Sequence, residues 1–122
     1  LHFPYPKPQG KLVSVFYGRI FDVVVDIRRS STTFGKWIGV ELDDKNFNQL
    51  WIPKGFAHGF QALSKVAHVN YKCSDNYWSP KDEQTIIFND NEIGINWPKK
   101  PGSISEKDMN GKPLKLLKNL PY

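Results

Sequence analysis

His58 lies in the segment of this chain whose residues most clearly suggest chemistry. It follows the Pro-Lys-Gly turn at 53–55 and precedes an apolar stretch. Proline and glycine fix the backbone of such a turn, so we expect His58 to begin a strand with its imidazole aimed at the mouth of a small β-barrel. An imidazole can exchange a proton or donate a hydrogen bond near neutral pH. The segment therefore predicts a polar pocket at a barrel mouth.

Two more polar side chains are predicted to point inward from strands. Alternate residues of a strand face opposite sides of a sheet. Lys11 is in phase with the valines of the strand predicted at 11–16, and Tyr71 with the apolar residues of the strand at 67–73. An inward lysine or tyrosine costs free energy unless it is paired or wetted, so these residues mark either strand-end side chains that reach water or a polar cavity. His68 has the opposite phase and is expected to face solvent.

The elements that must position these residues are predominantly strands. Apolar residues recur with a period of two in seven short stretches, which predicts an all-β sandwich or barrel. Tyr17 and Gly18 are expected to join the first two strands as a hairpin. Beyond Asn89 we expect a flap over the barrel with two short helices, one starting at 105–108 and one at 113–119. The predicted strands cover 11–16, 20–27, 37–42, 49–52, 59–63, 67–73 and 85–88.

Composition limits the classes of protein that fit. The 122 residues are enough for one domain, which we place at 1–122. The formal charge of +5 is spread along the chain without a dense Lys/Arg block, so a small anionic ligand is expected and nucleic acid is not. The single cysteine, Cys73, cannot form an internal disulfide, and no apolar run is long enough to span a membrane. These features predict a soluble cytoplasmic protein.

The spacing of the histidines does not suggest a metal centre. They stand alone at positions 2, 58 and 68, without the closely spaced pair and carboxylate that a metal-dependent barrel enzyme requires. We therefore expect chemistry by side chains alone, with no metal.

Motifs along nearly the whole chain follow the order found in one enzyme family. They are Leu1-His2-Phe3, Gly10-Lys11-Leu12-Val13, Phe21-Asp22-Val23, Val25-Asp26-Ile27-Arg28, Thr33-Phe34-Gly35-Lys36-Trp37, the segment 49–60, Tyr71-Lys72-Cys73, Ser79-Pro80 and Ile93-Gly94-Ile95-Asn96-Trp97-Pro98. On these motifs the chain resembles the dTDP-4-dehydrorhamnose 3,5-epimerase family of dTDP-L-rhamnose synthesis. The resemblance implies a cofactor-free, cupin-like jelly-roll barrel, usually dimeric, that inverts C3 and C5 of a 4-keto-6-deoxyhexose carried on dTDP.

The resemblance also implies a role for individual residues. His2 would be the general base, and Asp108 the carboxylate that orients it and raises its basicity. Tyr71 would be the acid that returns a proton on the opposite face of the sugar. Lys11 would stabilise the negative charge of the enolate formed between these steps. The residues that would bind substrate are Lys11, His58, Glu83 and Lys107, with Tyr77 and Trp78 stacking on sugar or base.

Alternatives stay open at this stage. Asp108 stands three residues after Ser105, a helix-start capping pattern that is compatible with a catalytic role. The chain could instead be a mono-epimerase, a keto-isomerase, an enzyme for another nucleotide, or a non-catalytic sugar-binding barrel. Only an enzyme requires His2 and Asp108 within hydrogen-bond reach and Tyr71 across the cavity. Family members carry a further segment before the Leu-His pair, which we expect to be absent from this chain.

Overall fold

The computed structural model describes residues 1–76 and 79–122. Its strands form two antiparallel sheets, one with five strands in the order β4-β3-β6-β1-β8 and one with three in the order β5-β2-β7. The all-β prediction is therefore confirmed, and the two sheets face each other in the cupin-like jelly-roll arrangement. The strands are β1 (His2–Pro4), β2 (Lys11–Tyr17), β3 (Arg19–Asp26), β4 (Trp37–Asp43), β5 (Leu50–Ile52), β6 (Phe56–Ala62), β7 (His68–Cys73) and β8 (Glu83–Thr85).

Both faces of the five-stranded sheet are buried along β3, the strand between β4 and β6. In β3, Val23, Val24 and Val25 are all buried, so this strand carries a continuous apolar run rather than a strict alternation. The inner core lies between the two sheets, and the outer core covers the opposite face of the larger sheet. The inner core contains Val13, Val15, Ile20, Val24, Leu42 and Ile52. The outer core contains Leu1, Phe3, Val23, Val25, Ile27, Ala57, Ile86, Ile93, Leu114 and Leu120.

The C-terminal third is an integral layer of the fold. Ile93, Leu114 and Leu120 belong to the outer core, so the expectation of a flap is wrong for most of this segment. Within this segment Trp97, residues 99–105 and Asp108 line the cavity between the sheets. The physical reason is that the outer face of the larger sheet is apolar and has to be covered by another layer.

The connection between β2 and β3 is not the predicted hairpin. β2 pairs with β5 and β7, whereas β3 pairs with β4 and β6, so the turn at Gly18 leads the chain from one sheet to the other. Gly18 has a φ of +83°, and a Cβ there would lie 2.2 Å from the carbonyl oxygen of Val66. Local alternation predicted both strands correctly, but their partners come from distant parts of the chain.

Several element boundaries also differ from the prediction. β6 begins at Phe56, so His58 lies inside this strand instead of opening it. The last strand is Glu83–Thr85 rather than 85–88. The helix start at 105–108 is confirmed by α1 (Glu106–Met109), but the closing helix shrinks to one 3-10 turn, Leu114–Leu116. No helix in the two described ranges is long and apolar enough to cross a lipid bilayer.

A buried carboxylate fixes the loop that follows β3. Asp26 is only 2% exposed and accepts hydrogen bonds from Arg28 Nε and Nη2 at 3.0 and 2.9 Å. The hydroxyls of Ser31 and Thr33 each donate to its second oxygen at 2.6 Å. The Arg28 guanidinium also lies over the Phe56 ring, 4.7 Å from its centroid. The bonds from Arg28, with smaller contributions from the two hydroxyls, hold the pKa of Asp26 well below its usual range.

We expect Asp26→Asn to lower the free energy of unfolding at pH 7 by about 2 kcal/mol, because a neutral amide replaces a buried carboxylate that accepts charge-assisted hydrogen bonds. Since the folded-state pKa of Asp26 is depressed, this stabilisation is present above the ordinary carboxyl pKa and is lost as the pH falls through the folded-state value. Urea unfolding of wild type and variant at pH 7 measures the first effect, and a series of pH values from 7 down to 2 follows the decline of their difference. The matched control is Glu41→Gln, which breaks a half-exposed contact with Arg19 of 3.6 Å and should cost about 0.5 kcal/mol; equal losses for the two variants would contradict the prediction.

Candidate active site

A cavity of about 1050 Å³ lies between the inner faces of the two sheets. The smaller sheet contributes Lys11, Tyr71 and Cys73, and the larger sheet contributes His2 and His58. The inward orientation predicted for Lys11 and Tyr71 is therefore confirmed. They mark a polar cavity rather than strand-end side chains that reach bulk water. His68, with the opposite phase, is exposed as expected.

His2 and Asp108 lie within hydrogen-bond reach. The distance from His2 Nε2 to Asp108 Oδ1 is 2.7 Å. β1 places His2 directly opposite His58 on one side and Thr85 on the other, and the Thr85 hydroxyl lies 3.2 Å from His2 Nδ1. A carboxylate can only accept, so Nε2 carries the proton of the neutral ring and Nδ1 keeps the lone pair. This is the arrangement of a histidine base held by a carboxylate.

The neutral form of His2 is favoured by its surroundings. The surroundings of His2 lower the pKa of its imidazole from the ordinary value of 6.5 to about 4; burial is the largest cause, and the Asp108 carboxylate opposes the shift. A base must be unprotonated to accept a proton. His2 is therefore ready to act as a base throughout the neutral range.

This pKa predicts the acid limb of the pH profile. Since the base is active only when neutral, kcat/KM should stay level as the pH falls through 6.5 and should decline with a midpoint of about 4. Initial rates measured between pH 3 and 8, with circular dichroism at each pH to confirm that the protein is folded, test this. A midpoint at the ordinary histidine value of 6.5 would show that burial does not control the base.

Asp108 is carried on α1, a single turn that starts where the sequence predicts. Ser105 is its N-cap and accepts the backbone N–H of Asp108 at 3.2 Å. Partial burial raises the pKa of Asp108, but the hydrogen bond from the Ser105 hydroxyl and the interaction with His2 bring it below its ordinary value. Lys107, on the same turn, contacts the carboxylate of Glu83 at the start of β8. Glu83 lines the cavity. Lys107 is not among the described residues that line it, and its ammonium contacts the Glu83 carboxylate instead.

His58 is paired with a buried aspartate that sequence reasoning did not single out. Its Nε2 lies 2.5 Å from Asp22 Oδ1, and Asp22 is 0% exposed. The second oxygen, Oδ2, has no hydrogen-bond partner among the described residues. The alternation of β3 does indicate that Asp22 is buried, because Asp22 is in phase with the buried Ile20 and Val24. A buried acid requires a partner, so a pairing of Asp22 could have been expected.

Tyr71, His58 and Lys11 converge within the cavity. The rings of Tyr71 and His58 are 6.4 Å apart and nearly perpendicular, at 80°. Lys11 Nζ lies 6.0 Å from the centroid of the Tyr71 ring. Burial lowers the pKa of Lys11, while the nearby Cys73 and Asp22 oppose that shift. The Tyr71 side chain remains 51% exposed toward the cavity opening.

The cavity has groups that could accept or donate a proton on both of its walls. His2 belongs to the larger sheet, and Asp108 belongs to the turn beside it, whereas Tyr71 and Lys11 belong to the smaller sheet. A molecule in the cavity therefore has a base on one wall and a hydroxyl and a cation on the other. Tyr77 and Trp78, predicted to stack on the ligand, lie outside the described residues, and across 1–76 and 79–122 there is no group of three or more His, Cys, Asp or Glu that could hold a metal ion.

Comparison with known proteins identifies one family of sugar epimerases. The sequence model described as dTDP-4-dehydrorhamnose 3,5-epimerase matches residues 1–115. A dTDP-4-dehydrorhamnose 3,5-epimerase of Methanothermobacter thermautotrophicus is 52% identical over 118 residues, covering 94% of this chain and 63% of its own length. The Pseudomonas aeruginosa protein of the same name is 49% identical over 113 residues, covering 92% of this chain and 62% of its own length.

A solved structure agrees with these sequence relatives. The dTDP-6-deoxy-D-glucose-3,5-epimerase of Legionella pneumophila, in complex with dTDP-4-keto-L-rhamnose, superimposes with a TM-score of 0.95 at 47% identity. The match covers 100% of this chain and 66% of that one, so this chain spans less than two thirds of the length of these relatives. With the sequence model matching almost its whole length, the chain belongs to the dTDP-4-dehydrorhamnose 3,5-epimerase family.

Proposed function

We propose that this protein epimerises C3 and C5 of a 4-keto-6-deoxyhexose nucleotide sugar, converting dTDP-4-dehydro-6-deoxyglucose to dTDP-4-dehydrorhamnose. The observation that carries the proposal is the hydrogen-bonded pair of His2 and Asp108 on one wall of a cavity, with Tyr71 and Lys11 on the other. The relatives' names give the substrate class. Only an acid-base enzyme needs this division of groups between two walls.

Each epimerisation is a proton exchange between two faces of one carbon. His2 takes the proton from the carbon beside the C4 ketone, and the electron pair of that C–H bond moves into the enolate. The negative charge collects on the C4 oxygen, where the Lys11 ammonium stabilises it. The Tyr71 hydroxyl gives a proton to the opposite face of the carbon, and the ketone re-forms. Proton transfer through solvent then resets the two groups.

The remaining polar residues have binding roles in this proposal. His58 lines the cavity, is held by Asp22 and is proposed to bind an oxygen of the sugar. Glu83 lines the cavity and, with Lys107, anchors α1 against β8. Tyr77 and Trp78 are proposed to stack on sugar or base. No metal or organic cofactor takes part. The homodimer and the cytoplasmic location expected from the sequence stay predictions.

Proton NMR of dTDP-4-keto-6-deoxyglucose in deuterated water tests the reaction directly. We expect the C3 and C5 proton signals both to disappear when the protein is added, and to do so at the same rate with EDTA present. Loss at one position would assign a mono-epimerase. Retention of both signals, with tight binding of the nucleotide sugar measured by calorimetry, would assign a non-catalytic sugar-binding barrel and overturn the proposal.

A further inference from the structure

The turn that carries Asp108 is not held in place by apolar packing. α1 has four residues, and none of them is buried. The Asp108 side chain is 33% exposed. A short helix without a buried face gains little stability from packing, so its position depends on polar contacts. They include the hydrogen bond from His2 to Asp108, the contact between Lys107 and Glu83, and the cap at Ser105.

Ser105 makes two hydrogen bonds with the same aspartate. Its Oγ accepts the backbone N–H of Asp108 at 3.2 Å, and its hydroxyl donates to Asp108 Oδ2 at 2.8 Å. The other oxygen, Oδ1, is the one that contacts His2 Nε2. The two oxygens of the carboxylate are thus assigned to different partners. A helix cap requires only the first of the two Ser105 bonds.

We infer that Ser105 is a positioning residue for the catalytic pair, and that its hydroxyl fixes the rotation of the Asp108 carboxylate so that Oδ1 faces His2. This inference rests on the proposed function, because it assigns His2 as the base. The terminal torsion of an aspartate is broad, so a partly exposed carboxylate rotates freely unless both oxygens are held. Donation to Oδ2 restricts that rotation and favours the ionised carboxylate. Ser105 need not touch substrate for this role.

Two variants separate positioning from capping. Ser105→Asp keeps an acceptor for the backbone N–H and so remains a good cap, but its carboxylate cannot donate to Asp108 Oδ2 and repels it. Ser105→Thr keeps both bonds. We expect Ser105→Asp to reduce kcat about 10- to 100-fold with KM within a few-fold, as for other small misplacements of a catalytic group. Ser105→Thr should retain wild-type kcat.

A readout that does not depend on turnover completes the test. The ¹⁵N NMR signals of the His2 ring report the bond to Asp108 and the ring's titration. We expect both to change in Ser105→Asp, where the added charge raises the His2 pKa, and to match wild type in Ser105→Thr. If the wild-type protein epimerises nothing but these signals still respond, the proposed reaction fails while the placement of the carboxylate stands. Wild-type kcat together with an unchanged His2 signal in Ser105→Asp would overturn the inference and leave Ser105 a helix cap only.

Discussion

The His2→Gln variant is expected to lose epimerisation by about 10²- to 10⁴-fold in kcat, the usual contribution of a general base. The glutamine amide can still donate a hydrogen bond to Asp108, as His2 Nε2 does at 2.7 Å. It has no basic lone pair with which to take a proton from carbon. The hydrogen-bonded support of the site is therefore preserved while the base is removed.

Exchange and binding together measure this effect. In deuterated water the C3 and C5 proton signals of the substrate should persist with His2→Gln under conditions where wild type removes them. Calorimetry with dTDP should give an affinity within a few-fold of wild type, which would show that the cavity is intact. Exchange at the wild-type rate would exclude His2 as the base and would direct attention to His58, the other imidazole in the cavity.

The Tyr71→Phe variant is expected to separate proton removal from inversion. With the base intact, His2 can still take a proton and return deuterium from the same face, so exchange should continue at a reduced rate. Inversion needs a donor on the opposite wall, and phenylalanine has none. We therefore expect net epimer formation to fall about 10²-fold or more. The Tyr71 side chain is half-exposed and belongs to neither core, so the folded structure should tolerate the change.

NMR distinguishes these products from one another. The expected outcome for Tyr71→Phe is substrate labelled with deuterium but unchanged in configuration, whereas wild type gives labelled product of inverted configuration. His2→Gln should give neither. Labelled, inverted product at the wild-type rate from Tyr71→Phe would remove Tyr71 from the mechanism. A loss of exchange equal to that of His2→Gln would mean that Tyr71 also acts before the enolate forms.

Much of the architecture could be predicted from local pattern. Period-two alternation identified β2 to β7, and it predicted β8 with the wrong bounds. The same alternation placed Lys11 and Tyr71 on the inner face of the smaller sheet, where the structure shows them at the cavity. The family followed from ordered motifs, and the match over residues 1–115 confirms it.

Local pattern could not determine which strands pair. Tyr17 and Gly18 fit a hairpin in isolation, yet β2 and β3 take their partners from segments more than ten residues away and belong to different sheets. For the same reason, local pattern could not predict that Asp22 pairs with His58, which lies 36 residues away. Burial of the carboxylate is visible in the phase of β3, but its partner is set by the register between β3 and β6.

By itself, the sequence determined the all-β class, the inward face of β2 and β7 and the residue types available for proton transfer. The tertiary structure alone decided that the C-terminal third covers the outer face of the larger sheet, and that α1 reaches back to place Asp108 on His2. The physical reason is the sequence separation of the residues in contact. Side-chain direction is fixed by the backbone within a few residues. Strand pairing and the docking of α1 depend on contacts between residues far apart in the sequence, and the pair His2 and Asp108 is separated by about a hundred positions.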